Sequence, residues 1–150
     1  MSTDSRIDLT AFSERIATLR QRVADNVVGQ SQPVHLLLTA LMADGHVLLE
    51  GVPGVAKTLL AKTLARLVRA DFRRVQFTPD LMPTDVLGTS IFNLGTQQFD
   101  FHPGPVFTQV LLVDEINRAP AKTQAALFEV MEERQVTLDG NTRRLDPCYL

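Results

Sequence analysis

Cysteine is almost absent from this chain, in which Cys148 is the single one among 150 residues. One thiol excludes an intramolecular disulfide framework and a cysteine-rich zinc cluster, so we expect a reducing compartment. No apolar run approaches the roughly 18 residues that a membrane span needs. The polar stretch 1–6 has no signal-peptide core behind it. These absences predict a cytoplasmic protein without a membrane span.

An excess of positive charge is also missing. The formal net charge is -2 and the pI is about 5.9, which gives no general attraction to nucleic acid or to an anionic membrane. Hydrophobic residues make up 45% of the chain and charged residues 21%. That balance is compatible with one globular domain that has a real core.

Two helical patterns precede the most informative stretch. Apolar residues at helical spacing, interleaved with charges, predict an amphipathic helix within 1–26. Ser31 as a cap and Pro33 in the first turn predict a second, largely buried helix, for which Gly45 is a natural stop.

A glycine-rich loop at 50–58 lies between two contrasting patterns. The run His46–Leu49 is short and apolar and predicts a buried strand, and Leu59–Val68 has the pattern of a helix. Strand, glycine-rich loop, Lys-Thr and helix is the order that a phosphate-binding loop requires. A plain strand-to-helix turn with a chance Lys-Thr is the alternative.

Each residue type in this loop has a physical task. Gly51 and Gly54 allow a tight turn whose N–H groups, with the positive helix end, cradle phosphates. Lys57 supplies a cation for the outer phosphates and Thr58 a hydroxyl ligand for Mg²⁺. Ala56 replaces the usual second glycine, which an alanine can do where the backbone is already helical.

Alternating elements follow the loop and predict an α/β fold with a largely parallel sheet. The predicted elements are a strand at 72–77, a short helix at 83–87 stopped by Gly88, a projecting β-hairpin at 90–107, a central parallel strand at 110–113, a helix at 120–134, a second hairpin at 135–145 and a strand opening at Tyr149.

Two consecutive acids, Asp114 and Glu115, end the apolar strand at 110–113. Asp114 is suited to hold Mg²⁺, and Glu115 to orient and deprotonate a water that attacks a γ-phosphate. Acids at a strand end can also be simple caps, but the upstream phosphate loop favours a nucleoside triphosphatase site. Gln76 or Thr78, at the end of a neighbouring strand, could hold Glu115 inactive until a partner binds.

Several blocks of this sequence resemble the MoxR branch of AAA+ ATPases. They are G-V-P-G-V-A-K-T at 51–58, F-T-P-D-L-M-P-T-D-V-L-G at 77–88, H-P-G-P-V-F at 102–107, L-L-V-D-E-I-N-R-A at 111–119 and K-T-Q-A-A-L-F-E-V-M-E-E-R-Q-V-T at 122–137. Ala56 in the loop is the usual form in that branch. Arg118 also matches, and a role at a subunit interface is a hypothesis.

The resemblance implies a P-loop fold, a three-layer sandwich with a mostly parallel central sheet and a β-hairpin insert in helix 2. We accordingly assign 1–26 to an N-terminal amphipathic helix and 27–150 to an incomplete nucleotide-binding domain. The implied catalytic residues are Lys57, Asp114 and Glu115, and the implied metal ligands are Thr58 and Asp114. The implied nucleotide contacts are Val28, Gly29, Gly51, Pro53, Gly54, Val55, Ala56, Lys57, Thr58 and Leu59.

Parts that AAA+ proteins carry further along the chain are not recognisable here. These are the sensor 1 residue, the arginine finger and the helical lid, so we expect a piece truncated before them. An arginine finger contributes about 10³–10⁵ in rate. We therefore expect weak hydrolysis by the 150-residue chain alone.

The resemblance implies ATP and Mg²⁺ as cofactors and Mg-dependent ATP hydrolysis in the full-length protein. It also implies chaperone-like remodelling of protein clients, partners with von Willebrand factor A domains, and a homo-oligomeric ring, as a hexamer. No Lys or Arg occurs between Arg74 and Arg118, so the insert favours a protein client over nucleic acid. A nucleotide-binding switch or scaffold with little turnover is the alternative function.

Overall fold

Two compact units make up the chain in the computed structural model, Met1–Val68 and Arg69–Leu150. The structure describes residues 9–26, 31–50 and 57–145. Part of the predicted nucleotide site, namely Val28, Gly29, Gly51, Pro53, Gly54, Val55 and Ala56, lies outside the described residues. The strand expected to open at Tyr149 also lies outside them.

Helices form the described part of the first unit: α1 is Leu9–Asn26, α2 is Ser31–Met42 and α3 is Lys57–Val68. The predicted amphipathic character of α1 is confirmed where its side chains are described, since Val23 is buried and the charges around it are exposed. Helix α1 contacts both α2 and α3. No helix in the described ranges is long and apolar enough to cross a membrane.

The end of α2 lies close to the predicted stop, but a different residue makes the turn. Asp44, not Gly45, has the left-handed backbone, with φ 56°. The N–H of Gly45 then donates to the carbonyl of Ala40 at 2.9 Å, which satisfies one of the last helix carbonyls. Short polar residues such as aspartate tolerate this conformation better than most side chains.

The buried strand predicted at His46–Leu49 is wrong. Residues 45–50 have no regular secondary structure, and the Leu48 side chain is 76% exposed. A strand needs a neighbour that takes up its backbone hydrogen bonds. None of the strands in the described ranges pairs with this segment, and an apolar run alone cannot supply those bonds.

A parallel strand pair organises the second unit. Strand β1, Phe72–Gln76, pairs with β4, Val110–Asp114, in a register that sets Phe72 beside Val110 and Gln76 beside Asp114. The predicted parallel sheet is therefore confirmed. Among the described strands β4 has β1 as its one neighbour, and Leu111 to Val113 are half-buried, so its central position stays a prediction.

The predicted insert is confirmed as an antiparallel hairpin. Helix α4, Pro83–Leu87, is followed directly by β2, Gly88–Asn93, which pairs with β3, Gln98–Pro103. Its turn is stabilised by Asn93, whose Oδ1 accepts hydrogen bonds from the N–H groups of Gly95 at 2.9 Å and Thr96 at 3.3 Å.

The remaining elements close the second unit. After β4 come a 3₁₀ turn, Ile116–Arg118, then helix α5, Ala121–Glu133, and a hairpin of β5, Gln135–Leu138, with β6, Asn141–Arg144. Apolar side chains from across the second unit form one core, whose buried members are Val75, Phe77, Val86, Val106, Ala119, Leu127, Val130, Val136 and Leu145. The core is what holds β1 and β4 in place.

Candidate functional site

Helix α3 begins at Lys57, at the predicted end of the phosphate loop. Its buried side chains, Leu60, Ala61, Leu64 and Ala65 among them, recur at helical spacing, so one face of α3 is anchored. Lys57 and Thr58 are half-buried in the first turn, and Leu59 is exposed. The first N–H groups of a helix have no acceptor within it, so this turn offers donors and a positive dipole end to an anion.

The carboxyl ends of β1 and β4 lie side by side. Gln76 is the register partner of Asp114, and the N–H of Phe77 donates to the carbonyl of Asp114 at 2.9 Å, which extends the ladder one step further. Because paired residues of adjacent strands share a face, the side chains of Arg74, Gln76 and Asp114 belong to the same face. The predicted acids therefore lie at the carboxyl end of β4, beside the end of β1.

Arg74 binds the predicted metal ligand. Its Nε donates to Oδ2 of Asp114 at 2.6 Å, and the side chains are 50% and 22% exposed respectively. The length is typical of a charge-assisted hydrogen bond. Asp114 therefore has a positively charged partner in the protein itself.

Glu115 turns away from the strand through a left-handed backbone, with φ 55° and ψ 44°. Its Oε2 accepts a hydrogen bond from Nε2 of Gln76 at 2.7 Å and forms an ion pair with Nε of Arg118 at 3.1 Å. One carboxylate oxygen is thus held by two donors from different elements. The contact predicted between Gln76 and Glu115 is present.

Thr78, the other residue considered as a partner of Glu115, has a different one. Its side chain donates to Asp80, and this hydrogen bond is the main reason that the pKa of the Asp80 carboxyl is lowered from its ordinary 3.8. Gln76, and not Thr78, therefore contacts the predicted general base.

The predicted site residues fall in both units. Lys57, Thr58 and Leu59 belong to the first unit, and Asp114 and Glu115 to the second. The threonine hydroxyl and the aspartate carboxylate are hard oxygen donors, the ligand type that Mg²⁺ prefers. The catalytic, nucleotide-binding and metal-binding roles of these residues stay predictions.

The insert hairpin exposes a set of large apolar side chains. Ile91, Phe92, Leu94 and Phe99 are exposed, and the Phe92 and Phe99 rings pack edge to face with centroids 5.2 Å apart. Phe101, by contrast, is half-buried, because the guanidinium of Arg143 covers its ring at 3.9 Å.

Asp100, the acidic residue of the insert, is engaged within the hairpin. Its Oδ2 accepts a hydrogen bond from Nδ2 of Asn93 at 2.7 Å. This bond joins the two strands near the turn. The exposed apolar side chains, rather than this acid, are therefore what distinguishes the surface of the insert.

Arg74 is the residue at this site that sequence reasoning missed. A usable signal was present, since Arg74 precedes Gln76 by two positions and so shares its face of the strand. What the spacing could not supply was the register of β1 against β4, which determines that the guanidinium reaches Asp114.

Comparisons with known proteins point to one family. A sequence model of the family described as "ATPase family associated with various cellular activities (AAA)" matches residues 46–150. Chaperone MoxR1 of Mycobacterium tuberculosis is 59% identical over 124 residues, which are 83% of this chain and 33% of that protein. Protein MoxR of Methylorubrum extorquens is 38% identical over 135 residues, 86% of this chain and 39% of that protein.

A solved structure shows the same fold. The crystal structure of "a putative ATPase" from Cytophaga hutchinsonii matches with a TM-score of 0.74 and 44% identity, over 96% of this chain and 46% of that one. The chain thus spans less than half the length of these relatives. By its family match, its relatives and its fold, the chain belongs to the MoxR family of AAA+ ATPases.

Proposed function

We propose that this chain carries the ATP-binding and catalytic carboxylate half of a Mg-dependent MoxR-type ATPase that remodels protein complexes. The observation that carries the proposal is the pair Asp114–Glu115 at the end of a parallel strand, with Glu115 held by Gln76 from the neighbouring strand. A carboxylate that only caps a strand end in solvent would not need a specific amide donor.

Each residue of the proposed site has a distinct task. Lys57 and the first turn of α3 bind the phosphates, and Glu115 orients a water and takes its proton during attack on the γ-phosphate. Gln76 and Arg118 set where the Glu115 carboxylate rests before that step. These two contacts restrain the position of the Glu115 carboxylate, and their loss would free it to approach the attacking water.

Magnesium fits the oxygen donors that the chain offers. Thr58 and Asp114 would hold it, and the bound ion would neutralise charge on the phosphates. Phosphate binding and removal of the proton from water are the tasks of the protein groups named above.

Glu115→Gln tests the catalytic role. We expect ATP affinity within about threefold of the unaltered protein, and turnover lowered at least about 10²-fold, because removing a general base costs that much. Calorimetry measures the binding and phosphate release measures the turnover, both with the full-length protein. Glu129→Gln, on an exposed position of α5, is the matched control and should leave both values unchanged.

The switch or scaffold function predicts a different result. Tight ATP binding with no turnover in the unaltered full-length protein would favour a switch, and turnover that survives in Glu115→Gln would contradict the role of Glu115. Because the 150-residue chain covers 33% to 39% of the MoxR relatives, we propose that alone it binds ATP and hydrolyses it weakly.

Protein clients are the proposed partners. The exposed apolar insert supports this proposal, since aromatic residues are enriched at protein interfaces. The name of the Mycobacterium tuberculosis relative, a chaperone, agrees with it. We further propose a ring of subunits, as a hexamer, partners with von Willebrand factor A domains, a cytoplasmic location and no binding to nucleic acid.

A further inference from the structure

The ion pair of Arg74 with Asp114 stands apart from the other charge contacts at this edge of the sheet. Nε of Arg74 lies 2.6 Å from Oδ2 of Asp114, and the aspartate side chain is 22% exposed. The pair of Arg118 with Glu115 is longer, at 3.1 Å, and more exposed on its acidic side, at 46%. Asp114 therefore has the shorter and less exposed of the two ion pairs.

Strand register explains why this arginine reaches this acid. Arg74 lies beside Leu112 in the ladder, two positions before the Gln76–Asp114 pair, so its long side chain runs diagonally along the shared face. Gln76 reaches Glu115 in the same direction. Two alternate residues of β1 thus engage two consecutive acids, the last residue of β4 and the one after it.

A guanidinium and a metal ion compete for the same negative charge. A carboxylate that ligates Mg²⁺ is most effective when no other cation neutralises it, and two cations close together repel each other. Arg74 is half-exposed, so its flexible stem can carry the guanidinium into solvent when the pair breaks.

We propose that Arg74 is the resident counter-ion of Asp114, which occupies this carboxylate in the metal-free protein and yields it when Mg²⁺ and a nucleoside triphosphate bind. Arg74 would then set the Mg²⁺ concentration at which the nucleotide complex forms. This inference rests on the proposed function, because it takes Asp114 to be a metal ligand. Arg74 would be a positioning residue and not a catalytic one.

The test measures how ATP affinity depends on Mg²⁺ concentration, by calorimetry on the purified protein. We expect Arg74→Gln to lower the Mg²⁺ midpoint about fivefold, the effect of losing a partly exposed ion pair. Arg73→Gln is the matched control, since Arg73 is exposed, carries the same charge and lies one position before Arg74. Its midpoint should equal that of the unaltered protein.

A second readout does not depend on any variant. In the unaltered protein, the Nε–H resonance of Arg74 in a ¹H–¹⁵N spectrum should have the shift of a carboxylate-bonded guanidinium. It should move towards that of a solvated arginine on addition of ATP with Mg²⁺, but not on addition of ATP with a chelator.

The possible outcomes distinguish failure of this inference from failure of the proposed function on which it rests. Failure of the unaltered protein to bind ATP at all would overturn the proposed function and the inference with it. ATP binding with an unchanged or raised Mg²⁺ midpoint in Arg74→Gln, or an Arg74 resonance that ignores Mg²⁺, would overturn the inference alone.

Discussion

Glu115 combines an unusual backbone with a specific side-chain contact. A left-handed backbone costs an L-residue other than glycine roughly 1–2 kcal/mol, and Glu115 adopts it with φ 55°. The turn directs the carboxylate towards the end of β1, where Gln76 donates to it. Strain at a residue that also has a chemical role is common at functional sites.

Gln76→Ala should release Glu115. The variant removes a hydrogen bond to a charged group, and we expect the basal rate of ATP hydrolysis by the full-length protein to rise about 3–10-fold. Phosphate release without added partner measures it. Thr78→Ala is the control at the same strand end, because Thr78 donates to Asp80 instead. Equal basal rates in Gln76→Ala and the unaltered protein would contradict a restraint of Glu115 by Gln76.

At the scale of elements, the insert is joined to α4 by a close backbone approach. Gly88 has φ 103°, and a Cβ added at Gly104 would lie closer than 3.0 Å to the backbone of both Val86 and Gly88. Backbone atoms, unlike the end of a long side chain, cannot move aside cheaply. The two glycines therefore permit the hairpin to leave the domain at this point.

Gly104→Ala should destabilise the protein by about 1–3 kcal/mol, the usual cost of overpacking. Urea denaturation followed by far-ultraviolet circular dichroism measures it, since the sequence has no tryptophan for fluorescence. Gly95→Ala, in the hairpin turn, is the matched control. The atom nearest to a Cβ added there belongs to the Asn93 side chain, at 3.3 Å, and not to the backbone. The same unfolding free energy in both variants would refute the role of Gly104.

The periodic elements were predictable because their patterns are local. The helix at 59–68, the short helix before Gly88, both hairpins and the helix before Arg134 are confirmed within a few residues. The strand predicted at His46–Leu49 is wrong for the opposite reason, because an apolar run becomes a buried strand only when other segments pair with it and cover it. Asp44 in place of Gly45 shows the same limit at a single turn.

On the scale of the whole molecule, the insert combines exposed apolar side chains with a lack of positive charge. The insert has no Lys or Arg, and its exposed side chains include Phe99 at 71% exposure. Binding to DNA depends on cations that neutralise phosphates, and its strength falls as salt rises. The surface of the insert is therefore better suited to a protein than to nucleic acid.

We expect no salt-dependent binding of DNA by the purified protein. Fluorescence anisotropy with a labelled duplex, over a series of salt concentrations, measures it. The double variant Thr96→Lys and Gln98→Lys adds two cations to exposed positions of the insert and is a positive control, in which weak salt-dependent binding should appear. If the unaltered protein binds DNA with an affinity that falls steadily as salt rises, the insert surface is not selective for protein partners.

Local chemistry is what the sequence determined by itself. The order of loop, Lys57-Thr58, strand and Asp114-Glu115 predicted a nucleoside triphosphatase site, because those residue types at that spacing suit phosphate and metal chemistry. The blocks that resemble the MoxR branch supplied the family. Tertiary structure alone decided which donors meet the acids. The register of β1 on β4 delivers Arg74 to Asp114 and Gln76 to Glu115, and register depends on a core built from residues far apart in the chain.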